Sequence, residues 1–428
     1  MAPEVRLIDA DEIGAWTRSA SVPFLRPAQT DELRARWDAH WRPHLEVDRT
    51  WAVAERGRFV GNANVFSRTV TLPAAPGRPC AAVPVAAISG VGVHPTHRRQ
   101  GLLRRLMAAM LDDARRRGEA VAALTASQAA IYGRFGFAPA TSAATTVIDT
   151  ARSAFAGPAP ERAIDLLEPA EAAKVLPGLF DAATAAEPGH ISRTDAVWAA
   201  RIADDPDDRL GASARWYATC PDGYAVWRTE AVRTGPGDEG LGRVLLEEVV
   251  AADPRTEAAL WRFVADLDLV CEVVADKARP GDDPIRHRLA DPRALRTVAV
   301  SDFLWLRVLD TPAALSARGY LRSGRLVLDV RAPAATPTGP DGVDGPDPAA
   351  GVWVLETGPD GATCRPARPG EGPDLVLGVA ELSVLLAGGG HASVLAAAGR
   401  VDEVRPGAAG EADDLFASRP APMCITEF

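Results

Sequence analysis

Ile88-Ser-Gly-Val-Gly-Val-His-Pro-Thr-His-Arg-Arg-Gln-Gly-Leu-Leu-Arg-Arg-Leu-Met107 is the most informative run in this chain of 428 residues. A β-rich segment ends at Val93, and a helical pattern begins directly after Gly101. The turn between them holds Arg98, Arg99, Gln100 and Gly101. Unsatisfied backbone N–H groups, the positive end of a helix and two guanidinium groups then meet around one point, which suits a diphosphate. Gly101 removes a side chain where phosphate oxygens must approach the backbone. Taken without its surroundings, the same run is also a basic helix start on a solvated surface.

Outward from that run, Leu102, Leu103, Leu106, Met107, Met110 and Leu111 recur at helical spacing, and Arg115-Arg116-Arg117-Gly118 ends the helix. Residues 51–55, 58–66, 83–93 and 121–125 read as strands, with another near 145–148. Residues 151–165 are rich in Ala and Pro and are expected to be a linker. Strands at 215–219, 223–228 and 269–274 and a helix at 258–266 loosely repeat the first pattern without a second glycine-rich turn. From about 298 the texture changes, with strands at 303–309, 324–330 and 351–355 and a strand or helix start at 374 leading into helix. The Pro/Gly/Asp-rich segment 332–350 is expected to be a mobile hairpin loop. The fold class is therefore α/β (α+β), with expected domains at 1–150, 151–297 and 298–428.

Composition narrows the function. Hydrophobic residues at 47% and charged residues at 24% describe a globular chain. Acidic residues outnumber basic ones, 57 to 47, and the net charge of −10 argues against nucleic acid or an anionic membrane as partner and suits a cationic ligand. The five cysteines are dispersed, as expected for reduced thiols in a cytoplasmic protein. The N-terminal residues lack a signal-peptide profile, and no run of ~18 apolar residues would span a membrane. His94 and His97 have no Cys or carboxylate at ligand spacing, so no metal is expected.

Arg98-Arg99-Gln100-Gly101-Leu102-Leu103 matches the acetyl-CoA motif R/Q-x-x-G-x-G/A of the GNAT N-acetyltransferases, departing only at Leu103. With His94-Pro-Thr-His97 and Thr125-Ala-Ser-Gln-Ala-Ala-Ile-Tyr-Gly-Arg-Phe-Gly-Phe137, the chain resembles the Eis (enhanced intracellular survival) type. The likeness continues at 304–315, 397–401 and 419–428. It implies a GNAT acetyltransferase domain at 1–150, a GNAT-like domain lacking the cofactor motif at 151–297, and a sterol-carrier-protein-like domain at 298–428, assembled as a homohexamer. It also implies transfer of acetyl from acetyl-CoA to primary amines of a cationic acceptor such as an aminoglycoside, with protein lysine and polyamines as other acceptors. By position, Val91 and Val93 would bind pantetheine and the acetyl carbonyl, Arg98, Arg99, Gly101 and Leu102 the diphosphate, and Ser127 would lie near the cofactor. Tyr132 would be the general acid and the α-carboxylate of Phe428 the base.

The chemistry fits these roles. A phenol, with a reference pKa near ~10, is a sensible proton donor to a leaving thiolate. A terminal carboxyl at ~3.5 is a poor direct base, so it is expected to hold an ammonium and pass its proton through water. Phe24, Trp37, Trp41 and Trp305 are candidates for an amine pocket, with core packing as the alternative for each. Glu427 would add negative charge there. A lipid carrier, or an acyl-CoA sensor with little turnover, is the rival expectation.

Overall fold

The computed structural model describes residues 3–24, 30–158, 160–232, 242–281, 283–333, 347–358 and 360–428. They form two bodies: Met1–Ala140 with Leu304–Arg419 and Glu427–Phe428, and Thr141–Phe303 with Pro420–Thr426.

The first body is built on a seven-stranded sheet. Its strands are β1 (Glu4–Leu7), β2 (Thr50–Glu55), β3 (Arg58–Leu72), β4 (Ala81–Val93), β5 (Val121–Thr125), β6 (Ala138–Pro139) and, far later in the chain, β14 (Leu304–Val308). They lie in the order β1-β2-β3-β4-β5-β14-β6. Helix α1 (Ile13–Ser21) sets Ile13 and Trp16 against Leu45 and Ala52. Helix α2 spans Asp31–Trp41. Helix α3 (Leu102–Arg116) links β4 to the parallel strand β5. The helical spacing puts Leu106, Met107 and Met110 on one stripe, which packs against Val65, Ile88 and Leu124. Burial of each such side chain contributes about 1.5–3 kcal/mol.

The second body carries the sheet β13-β7-β12-β11-β10-β9-β8. Its strands are β7 (Ser142–Asp149), β8 (Asp165–Leu167), β9 (Trp216–Cys220), β10 (Gly223–Ala231), β11 (Gly242–Ala251), β12 (Val270–Arg279) and β13 (Leu295–Asp302). Helix Pro254–Ala265 joins β11 to the parallel strand β12, repeating the connection made by α3. A third sheet, β17-β16-β15-β18-β19, belongs to the first body. It comprises β15 (Gly324–Arg331), β16 (Gly351–Gly358), β17 (Gly361–Pro366), β18 (Leu375–Gly378) and β19 (Val401–Glu403).

The sheets do not follow the ranges expected from sequence texture. Residues 142–149 fall within the first expected domain, yet they pair with β12 and β13 in the second sheet. Residues 304–308 fall within the third, yet they complete the first sheet between β5 and β6. Strand pairing is non-local, so texture along the chain does not reveal it. The described residues of 151–165 are part of the second body, with Phe155 bridged to Leu289 and packed on its core. Of the expected loop 332–350, residues 334–346 lie outside the described residues. Its far end is anchored, because Asp347 forms a fully buried ion pair with Arg307 of β14. Among the described residues, no helix is long and apolar enough to cross a membrane.

Candidate active site

β4 and β5 are in register for three residue pairs, Val85–Ala87 against Val121–Ala123, although β4 runs on to Val93. A cleft of about 800 Å³ opens where the register ends, within the usual range for a ligand site. One wall comes from a bulge in β4. Asn62 of β3 stands opposite Gly92, and Asn64 stands opposite Ser89, so β4 takes one residue more than β3 between these points. Gly90 adopts a left-handed φ of +61° to make this possible. Val91 falls outside the register, so its peptide groups leave the ladder beside the cleft.

Beyond Val93 the chain turns through Pro95–His97 and Arg98–Gly101 before α3 begins. The His97 ring is held by Glu55 Oε2 at 3.0 Å and by Thr96 Oγ1 at 2.7 Å. Gly101 is the N-cap of α3 at φ +76°, and no side chain caps the helix, so its first-turn N–H groups stay available. A Cβ on Gly101 would meet nothing within 4 Å, which leaves the backbone open to approach. Arg98, Arg99, Arg104 and Arg134 all line the cleft. Among the described residues, none of the four is paired with a carboxylate. A chain of net charge −10 thus concentrates unpaired positive charge at an uncapped helix start.

The cleft is also lined by Tyr132, at the end of the short helix α4 (Ala129–Tyr132). Its ring meets Phe137 edge-on, at 6.4 Å between centroids, and only 7% of the residue is exposed. Burial pushes the phenol above its ordinary pKa, against the opposing pull of a hydrogen bond with Ser127. The group is therefore protonated across the neutral range and able to give up a proton. Arg307 supports this segment from β14, donating from Nε to the Phe135 carbonyl at 2.5 Å. Burial lowers the pKa of Arg307 to about 10, still far on the charged side at neutral pH.

Family models described as "Acetyltransferase (GNAT) domain" match residues 4–140 and 189–308, and one described as "Sterol carrier protein domain" matches 311–425. A Streptomyces avermitilis protein named as an uncharacterized N-acetyltransferase is 35% identical over 99% of this chain and 98% of its own. N-acetyltransferase Eis of Mycobacterium tuberculosis is 32% identical over 84% of this chain and 85% of its own. The crystal structure of Eis1 from Mycobacterium abscessus superimposes with a TM-score of 0.83 at 29% identity, covering 99% of this chain and 100% of that one.

The chain belongs to the Eis-type GNAT N-acetyltransferases. It is an acetyltransferase with two GNAT domains and a sterol-carrier-protein-like domain, of a superfamily that uses acetyl-CoA.

Of the residues that Eis-type likeness singles out, one cleft brings together Phe24, Val91, Val93, Arg98, Arg99, Gly101, Leu102, Ser127 and Tyr132. Leu102 is buried, so it offers the cleft backbone rather than side chain. Trp305 lies elsewhere: on β14 it is 6% exposed and belongs to the apolar core with Phe135 and Phe137, not to the cleft lining. Its place in the sheet explains this, since β14 is flanked by β5 and β6. Trp41 packs at the edge of the α1 core. Trp37 sits in α2, but its side chain lies outside the described residues. Glu427 is exposed and Phe428 half-buried; both belong to the first body and neither is among the cleft-lining residues. Sequence reasoning misses Arg104 and Arg134, because exposed arginines on a helix or turn look like solvated surface in a sequence. Asn62 gives no signal, being one of several polar residues in β3.

Proposed function

We propose that this enzyme transfers acetyl from acetyl-CoA to primary amines of a cationic acceptor, with aminoglycosides as the leading class. The observation that carries the proposal is one cleft lined by arginines that meet no carboxylate among the described residues, by an open helix start, and by a buried tyrosine whose pKa is raised. Acetyl-CoA supplies an acetyl thioester and an anionic handle. Arg98, Arg99 and the N–H groups around Gly101 and Leu102 hold the diphosphate, and Ser127 lies beside the cofactor. Backbone groups of Val91 and Val93 hold pantetheine and polarise the acetyl carbonyl.

The neutral amine attacks the carbonyl carbon, forming the C–N bond while the C–S bond breaks. The Tyr132 hydroxyl gives its proton to the departing thiolate. The proton lost by the amine nitrogen passes through water to the Phe428 α-carboxylate. The acceptor's positive charge is favoured by the acidic surface, by Glu427, and by Phe24, an exposed aromatic on the cleft. Protein lysine and polyamines offer the same amine chemistry. We further take the enzyme to be a cytoplasmic homohexamer. Val298 and Val300, about three-fifths exposed on the edge strand β13, give copies a surface on which to associate, and a one-chain sedimentation mass would remove the hexamer.

Thiol release from acetyl-CoA in the presence of aminoglycosides, polyamines or lysine peptides tests the proposal. Tyr132→Phe is expected to bind acetyl-CoA normally and to lose roughly 10²–10⁴-fold in kcat. The raised phenol pKa places the alkaline fall in kcat above about 10, because the acid is active only while protonated. A C-terminal extension, which converts the Phe428 carboxylate to an amide, is expected to cost ~10²-fold with acetyl-CoA binding intact. Thiol release at the wild-type rate from either enzyme removes the role given to that residue. Absence of release with every amine leaves acyl-CoA sensing or lipid carriage as the function.

A further inference from the structure

The bulge that shapes the cleft is not held by the sheet alone. At the bulge the β3–β4 ladder is interrupted, and the Gly90 carbonyl is taken by a side chain: Asn62 Nδ2 donates to it at 2.7 Å. Asn62 and Asn64 stand two residues apart on β3, on the same face, and each is only 1% exposed. That face packs toward α1 and the cleft rim. A Cβ on Gly90 would lie 2.6 Å from Asn64 Oδ1 and 3.5 Å from Trp16, and a Cβ on Gly92 would lie 2.6 Å from Pro23 and 3.5 Å from Asn62 Oδ1. Gly92 and Pro23 both line the cleft.

The rest of the pair is poorly satisfied. Asn62 Oδ1 and Asn64 Nδ2 are buried without a hydrogen-bond partner among the described residues. A buried amide with unmet capacity costs stability, and an apolar residue of similar size would fill this strand position without that cost. Stability therefore does not account for Asn62, whereas its bond to the bulge carbonyl does. The bulge sets the direction of the next peptide groups, those of Val91 and Val93.

We infer that Asn62 is a positioning residue for acetyl transfer: its carboxamide holds the β4 bulge through the Gly90 carbonyl and so aims the Val91–Val93 backbone at the acetyl group. This rests on the proposal that the thioester lies against Val91 and Val93.

The test compares acetyl-CoA with CoA, which shares the diphosphate and pantetheine but has no acetyl carbonyl. Asn62→Asp keeps the shape and removes the N–H donor. Asn64→Asp buries a carboxylate on the same face without touching the Gly90 bond. Calorimetric Kd values for both ligands and kcat are measured for the wild type and each variant. Asn62→Asp is expected to weaken acetyl-CoA by about tenfold while CoA changes less than about threefold, with kcat falling in parallel. Asn64→Asp is expected to keep the wild-type ratio of the two affinities. An unchanged ratio and kcat in Asn62→Asp overturns the inference, and so does an equal loss for both ligands. If Asn62→Asp does not fold, Asn62→Ser, neutral and too short to reach Gly90, is read by the same ratio. A wild type that binds CoA and acetyl-CoA equally, yet transfers acetyl, also overturns it. A wild type that binds neither removes the acetyl-CoA proposal itself.

Discussion

The two GNAT domains build the same strand–turn–helix–strand unit and finish it in opposite ways. In the first, eight residues separate β4 from α3, and the helix starts at Gly101 with no side-chain cap. In the second, only Ala252 and Asp253 separate β11 from helix Pro254–Ala265. Asp253 closes that helix, accepting from the backbone of Arg255 at 2.8 Å and of Thr256 at 3.1 Å. The Thr256 hydroxyl also donates to it at 2.6 Å and is the main reason its carboxyl sits below the usual range. Donors that would meet a phosphate are already occupied, and the occupant is an anion. The adjoining recess holds about 130 Å³, against about 800 Å³ in the first domain. Arg279 lies in it, bonded to the Val249 carbonyl at 3.2 Å and paired with Glu257 and Asp283. The two turns thus differ less in fold than in one uncapped helix start whose arginines meet no carboxylate among the described residues, against one capped by an anion with its arginine paired.

The contrast is broken most sharply by giving the first turn the second turn's chemistry. Gly101→Asp is expected to weaken acetyl-CoA binding by more than about 100-fold, because a carboxylate would cap α3 and face the diphosphate. Gly101→Asn bears the same left-handed backbone without the charge and should lose much less. Equal losses in calorimetry would mean that backbone strain, not charge, separates the two turns. A smaller effect is expected in the other direction. Asp253→Ala should lower stability by about 1 kcal/mol and leave acetyl-CoA affinity unchanged. Because folding depresses the Asp253 pKa, its contribution is complete above the unfolded value near ~3.9 and disappears as pH falls through the lower folded value. The difference in denaturation midpoint between the two proteins should therefore shrink in acid. A change in acetyl-CoA affinity in Asp253→Ala would blur the contrast.

Local features are legible in the amino-acid sequence. The β4–turn–α3 run reads directly from alternation, helical spacing and Gly101, and the segment around Tyr132 reads from its motif. What escapes depends on partners distant in the chain. Strand 142–149 looks like any other strand, and nothing in its residues names β12 and β13 as its neighbours. Trp305 suits a ligand pocket as well as a core by residue type, and only its place between β5 and β6 separates the two. The bulge at Gly90 has a visible glycine, but the asparagine that holds it lies on the neighbouring strand.

The position of β14 has a consequence for synthesis on the ribosome. When β5 and β6 have emerged, the strand that belongs between them does not yet exist. At roughly 5–20 residues per second, the ~165 residues from β6 to β14 take on the order of ten to thirty seconds to make. Through that interval the catalytic sheet has an open edge at β5, and the Phe135 carbonyl beside the tyrosine turn lacks its arginine. The N-terminal stretch matched as a GNAT domain, residues 4–140, is therefore one strand short of a finished sheet. Cut out at that boundary, it would be an unfinished nascent chain rather than a transplantable module.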